Sequence, residues 1–156
     1  MFHLIPPGLH RLGLRLAHAA RLAWWSVRRP VVVGCRVLAF DANGALLLVR
    51  HTYGSGSWML PGGGLGRRED PLAAAVRECR EETGCELVEA QLVAVIDEPL
   101  SGATNRVHVV SGKAIGAPVP DGREIAACGF YPLDALPTPL SAHLARELES
   151  WIAAAR

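Results

Sequence analysis

A chain of 156 residues, half of them apolar and a fifth charged, is long enough for one domain with a substantial core and too apolar to be disordered as a whole. The formal net charge of +1 hides a lopsided distribution: all fifteen acids lie after residue 40, whereas six arginines lie before it. The body of the chain is therefore net acidic, which argues against a broad basic surface for a nucleic acid polymer while leaving room for a small anionic ligand.

At the N-terminus, Leu9, Leu12, Leu16, Ala19, Ala20, Ala23, Trp24 and Val27 recur at helical spacing. Arg11, Arg15, Arg21, Arg28 and Arg29 lie among them, and Pro30 stops the pattern. Residues 1–30 thus predict a basic amphipathic helix. Each mid-helix Arg opposes insertion by roughly 2.5–3.5 kcal/mol, so this helix does not comfortably span a bilayer. It suits packing on the domain or on a second subunit, as in a homodimer through residues 9–29, or peripheral contact with an anionic membrane surface. His3, His10 and His18 show no metal-ligand spacing.

Residues 31–156 read as one domain. Val31 to Phe40 is β-branched and apolar, Asp41-Ala42-Asn43-Gly44 signals a hairpin turn, and Ala45 to Arg50 is apolar again. A glycine-rich stretch, Trp58-Met59-Leu60-Pro61-Gly62-Gly63-Gly64, then leads toward a helix. Asp70 is placed as its N-cap, Pro71 as its first residue and Gly84 as its left-handed C-cap. On that helix Leu72, Ala75, Val76 and Cys79 predict a buried stripe, while Glu78 and Glu82 share another face with Glu81 alongside. Clustered acids destabilise a helix unless a cation offsets them, and all-oxygen ligands suit a hard ion, Mg²⁺ or Mn²⁺. The competing reading is a solvated acidic face laced by Arg77 and Arg80. Against it stands the preceding glycine loop, which lets backbone approach a metal or phosphate closely at a helix N-terminus.

Gly63, Glu69, Arg77, Glu78, Glu81, Glu82 and Gly84 stand at the spacing Gly-x5-Glu-x7-Arg-Glu-U-x-Glu-Glu-x-Gly-U, where U is aliphatic. Seven such identities arise by chance on the order of once in 10⁹ start positions. On these residues the chain resembles the Nudix hydrolases, from about Val31 to the C-terminus. The resemblance implies an α/β/α sandwich with a mixed β-sheet and metal-dependent hydrolysis of a nucleoside diphosphate linked to another moiety. It implies Glu78 and Glu82 as metal ligands, Glu81 as a further ligand or a base, and a carbonyl of Gly62 or Gly63 completing the shell. Arg77 and Glu69 become the pair that orients the ligand carboxylates. Two departures stand out. Cys79 and Cys85 take the aliphatic positions, and Gly66-Arg67-Arg68 replaces an acidic turn, which offers Arg67 as a substrate contact or leaves it a solvated loop arginine.

Upstream of the glycines, Arg50, His51 and Tyr53 are candidates for a base or ribose pocket, and Trp58 is expected in the core. Glu86 to Ile96, Arg106 to Ile115 and Ala126 to Tyr131 predict further strands. In the loop Asp121-Gly122-Arg123-Glu124, Glu124 is a candidate extra ligand or general base, with Asp97 and Glu98 as competitors and a solvated turn acid as the alternative. Thr138 and Pro139 are expected to open a final helix with the stripe Leu140, Leu144, Leu148, Trp151 and Ile152. Cysteines 35, 79, 85 and 128 have no zinc or Cys-x-x-Cys spacing and follow no secretory signal, which predicts reduced thiols and a cytoplasmic protein. Three functions compete: a metal-dependent pyrophosphohydrolase acting on a small nucleotide, a catalytically silent domain that binds a nucleotide as a sensor, and a membrane-associated or scaffold protein in which the basic helix does the main job. Pro99 lies where ADP-ribose-hydrolysing members often carry a proline, and the substrate is otherwise open.

Overall fold

The computed structural model describes residues 13–14, 16–21, 23–24, 31–100 and 102–156. Among the described residues from 31 onward, six strands and two helices follow one another: β1 (Val31–Phe40), β2 (Leu46–His51), β3 (Trp58–Met59), α1 (Pro71–Thr83), β4 (Glu86–Leu100), β5 (Ala103–Ile115), β6 (Ile125–Tyr131) and α2 (Ala142–Ala154). Side-chain alternation along the strands decides how they stack. Cys35, Val37, Ala39, Leu47 and Val110 face α1, in one core with Ala74, Ala75, Cys79 and Cys85. Leu38, Leu46, Leu48, Val107 and Val109 face the other way, in a second core with Leu144, Leu148 and Trp151 of α2. A sheet covered on both faces can be apolar on both, which is why these runs are nearly continuous in hydrophobic residues.

The sheet is mixed and follows the order β3-β2-β1-β5-β4, with β6 also pairing with β2. β1 runs parallel to β5 over its whole length, from Val31 opposite Thr104 to Phe40 opposite Lys113. β4 and β5 form a long antiparallel hairpin, in which Glu86 faces Ile115 and Leu100 faces Ala103. The architecture is the α/β/α sandwich expected from the sequence.

Asp70 caps α1 by accepting from the backbone N–H groups of Leu72 and Ala73 at 2.9 and 3.2 Å, and Gly84 closes it at φ 71°. Replacing Asp70 with Ala is expected to cost about 1 kcal/mol of stability, read as a lower denaturant midpoint at unchanged slope. The buried stripe differs from expectation at one position. Val76 is 37 % exposed, and the inward face instead passes through Ala75 and Cys79 to Glu82.

Three boundaries also differ. β3 is a two-residue strand too short to announce itself by pattern. Pro99 lies inside β4, opposite Thr104, and not in a loop. The last helix starts at Ala142 with Ser141 as its cap, because residues 139–141 are occupied in pairing with β3: Trp58 donates to Pro139 and Ser141 donates to Trp58. All four cysteines are free thiols, and burial pushes Cys35, Cys79 and Cys128 up to about 11.

The described residues between 13 and 24 are helical. Leu16 and Trp24 are 64 % and 59 % exposed, so these two members of the predicted stripe do not pack on the domain. Leu14 and His18, one turn apart, are the half-buried ones. Leu9, Leu12, Val27, Pro30, Arg11, Arg15, Arg28, Arg29, His3 and His10 lie outside the described residues. Among the described residues no helix is long and apolar enough to cross a membrane.

Candidate active site

The glycine loop is fastened along the edge of β1 that β5 leaves open. Val37 donates to the Pro61 carbonyl at 2.8 Å, Cys35 to the Gly63 carbonyl at 2.9 Å, and Leu65 to the Val33 carbonyl at 3.0 Å. Two of the glycines have steric reasons to be there. A Cβ on Gly62, whose φ is 153°, would stand 2.2 Å from the Cys35 carbonyl oxygen. One on Gly63 would meet the Glu78 carboxylate at 2.5 Å. The loop thus presses backbone against both the central strand and the acidic face of α1.

Glu82 lies on the buried side of that helix, and a buried carboxylate requires partners. It has two. Gly62 donates its N–H to Oε2 at 2.9 Å, and His51 Nε2 lies 3.1 Å from Oε1. Glu78 is also largely enclosed, and burial raises its pKa against the opposing pull of Arg77. Glu81 stands at the rim with its side chain 56 % exposed.

Arg77 gathers the acids. Its Nε and Nη2 donate to the two oxygens of Glu69 at 2.8 and 3.0 Å, a two-pronged pairing that guanidinium geometry favours. Nη1 donates to Glu78 at 2.7 Å and to Glu81 at 3.1 Å, and Nη2 reaches the Gly64 carbonyl at 3.3 Å. Arg77, and then the Gly66 N–H, hold Glu69 down to about 2. Arg77→Ala frees three carboxylates at once. It is expected to weaken divalent-metal affinity about tenfold, measured as a shift in the metal concentration giving half-maximal activity.

Glu78, Glu81 and Glu82 share a cavity of about 130 Å³ with Asp121, Glu124 and Ile125. The loop before β6 and the first residue of that strand bring the last three there. Asp121 Oδ1 accepts from the N–H groups of Arg123, Glu124 and Ile125 at 2.9 to 3.0 Å. Thr52, just after β2, donates to the carbonyls of Arg123 and Glu124. The competitors of Glu124 are engaged elsewhere. Asp97 pairs with Arg106 across the β4–β5 hairpin, and Glu98 pairs with Arg36 and His143.

Five carboxylates around one small cavity supply the all-oxygen donor set that a hard divalent ion takes. Among the described residues, no three His, Cys, Asp or Glu side chains yet meet closely enough to hold an ion. Their present directions explain this, because Arg77 draws Glu78 and Glu81 toward itself and Gly62 and His51 hold Glu82. The residues fit a divalent metal in type and placement, with side-chain rotation needed to converge on it.

A larger cavity of about 400 Å³ is lined by the glycine loop. Its walls include Gly62, Gly63, Gly64, Cys35, Arg36, Asn105, His51 and Tyr53. Of the sequence candidates for substrate contact, His51 and Tyr53 come together here, their ring centroids 5.2 Å apart. Arg50 instead lies over the Trp58 ring at 5.2 Å, and Arg67 sits in the exposed turn before α1. Neither lines this cavity. Trp58 is in the core, as expected.

The family model described as NUDIX domain matches residues 28–152. The chain belongs to the NUDIX family. Its likeness to solved structures agrees. It shares 31 % identity and a TM-score of 0.68 with a MutT NUDIX hydrolase from Burkholderia pseudomallei, over 76 % of this chain and 96 % of that one. An ADP-ribose pyrophosphatase from Streptococcus suis is 28 % identical with a TM-score of 0.62, over 80 % and 92 % of the two chains. A MutT protein from Methanosarcina mazei, at 22 % identity and a TM-score of 0.70 over 83 % and 98 %, shares the fold. No curated protein matches the chain. As a member of this family the protein is a Nudix pyrophosphohydrolase, of a kind that depends on divalent metal and acts on nucleotide derivatives.

Sequence reading passes over several residues that line the two cavities. Asp121 carried a signal in the turn chemistry of Asp121-Gly122, but nothing local distinguished a loop-ordering acid from a solvated one. Arg36, Leu100, Asn105 and Val107 reach the larger cavity only through the pairing of β1 with β5 and the turn of the long hairpin.

Proposed function

We propose that this Nudix enzyme hydrolyses the diphosphate bond of a nucleoside diphosphate linked to another moiety, with Mg²⁺ or Mn²⁺ held by Glu78 and Glu82 and with Glu81 and Glu124 serving as further ligands or as the base. The observation that carries this is the shared cavity: three acids of one helix and two of a distant loop line the same space, beside a glycine loop that borders a nucleotide-sized cleft. The ion, when bound, supplies charge neutralisation for the diphosphate and a lowered pKa for the attacking water.

The protein's own groups have separate tasks in this reading. Arg77 and Glu69 orient Glu78 and Glu81, while His51 and the Gly62 N–H orient Glu82. Glu81 at the rim and Glu124 across the cavity are the two candidates to accept a proton from water. A carbonyl of Gly62 or Gly63 would complete the shell, Gly63 through its second lone pair, since it already accepts from Cys35. His51 and Tyr53 line the side where the nucleoside would lie. Residues 31–156 form the hydrolase domain, preceded by the N-terminal helix.

Product analysis tests this directly. Purified protein is incubated with Mg²⁺ and, in turn, ADP-ribose, UDP-sugars, dinucleoside polyphosphates, capped RNA and nucleoside triphosphates. Cleavage of one class within the diphosphate, abolished by chelation, is the expected result. Cleavage at a phosphomonoester or glycosidic bond, or none in any class, would overturn the proposal.

A further inference from the structure

The larger cavity has a wall that the catalytic fold does not supply. His18 and Arg21, from the helical residues near the N-terminus, line it together with the glycine loop. They are three apart, and Leu14 is four before His18, so all three share one helix face. That face turns to the domain at Leu14 and His18, which are half-buried, while Arg21 stays exposed. The contact is aromatic: the His18 ring lies 5.4 Å from Tyr53 at 45°, and Tyr53 lies 5.2 Å from His51. Since His51 in turn contacts Glu82, a continuous line of side chains joins this helix to the acidic cavity. Arg21 donates to His18 Nδ1 at 3.4 Å, which sets its guanidinium beside the same ring.

From this geometry we infer that the N-terminal helix is part of the substrate site: His18, with Tyr53, offers ring faces to the nucleobase, and Arg21 contacts a phosphate of the nucleoside diphosphate. The inference rests on the reading of this cleft as the nucleotide side of the hydrolase. Ring faces accept any base, whereas a guanidinium selects for anionic oxygen, so the two residues have separable signatures. The helix thereby acts as a specificity element within the same catalytic unit.

The test uses the full chain and calorimetric titration with ADP, GDP, CDP and UDP in Mg²⁺, followed by the nucleoside matching the tightest of them. Arg21→Ala is expected to weaken the diphosphate about five- to tenfold and to leave the nucleoside within about twofold, because only the charged contact is lost. Arg21→Lys should recover most of the difference. His18→Ala is expected to weaken both ligands about fivefold through lost stacking. Melting temperatures matching wild type establish that folding is not the cause. Wild-type affinities in both variants, or no saturable binding of any diphosphate to wild-type protein, would overturn the inference. Hydrolysis abolished by Glu82→Gln but KM unmoved by Arg21→Ala and His18→Ala sinks this role and leaves the hydrolase. Binding that falls in both variants of a protein that cleaves nothing upholds the wall and sinks the hydrolase.

Discussion

Glu82→Gln is expected to lower kcat about 10²-fold or more while the protein stays folded, because it removes one charged ligand and little else. The substitution keeps the side chain's shape on the buried face of α1. Gln retains a carbonyl oxygen to accept from Gly62 N–H, now at 2.9 Å from Oε2, and its amide can still face His51. It also relieves the burden of a buried charge, so thermal stability should be equal to wild type or slightly higher. A folded Glu82→Gln protein with near-normal turnover would refute the placement of the metal between α1 and the loop before β6.

Gly62→Ala is expected to destabilise the protein by about 4 kcal/mol, combining backbone strain with overpacking. The added Cβ would lie 2.2 Å from the Cys35 carbonyl oxygen and 3.0 Å from Arg36 Cα. Neither atom can yield easily, since β1 is held by β5 on one side and by the loop's own hydrogen bonds on the other. Shifting the loop outward would also withdraw the Gly62 N–H from Glu82, so activity should fall further than stability alone explains. Gly44 is the internal comparison. It too has positive φ, 79°, but nothing lies within 4 Å of its missing Cβ. Alanine there should cost only about 1–2 kcal/mol, the intrinsic left-handed penalty. Equal losses at the two positions in chemical denaturation would show that the close approach to β1 is unimportant.

The contrast between these glycines bears on what a sequence discloses. Asp70, Pro71 and Gly84 bounded α1 because capping chemistry is local, and the strands were legible because both faces of the sheet are covered. Val76 was misplaced because two candidate stripes differ by a small rotation, and the true one carries a glutamate that no hydrophobic pattern would include. What makes Glu82 tolerable there is a backbone N–H twenty residues earlier and a histidine from β2. The start of α2 was misjudged because Thr138-Pro139 resembles a helix opening, yet pairing with Trp58 takes precedence. Arg21 belongs to an amphipathic pattern and His18 shows no metal-ligand spacing, so only tertiary placement brings both to the larger cavity and sets the His18 ring against Tyr53.

The proposed diphosphate hydrolysis depends on a divalent ion in the acidic cavity. The most direct measurement is a Mn²⁺ titration of the purified full chain followed by electron paramagnetic resonance, with phosphate release from a cleaved nucleotide recorded on the same samples. Saturable Mn²⁺ binding that Mg²⁺ displaces, that tracks activity and that is lost in Glu82→Gln is the predicted result. Activity that survives complete chelation, or Mn²⁺ binding unchanged in Glu82→Gln, would contradict it.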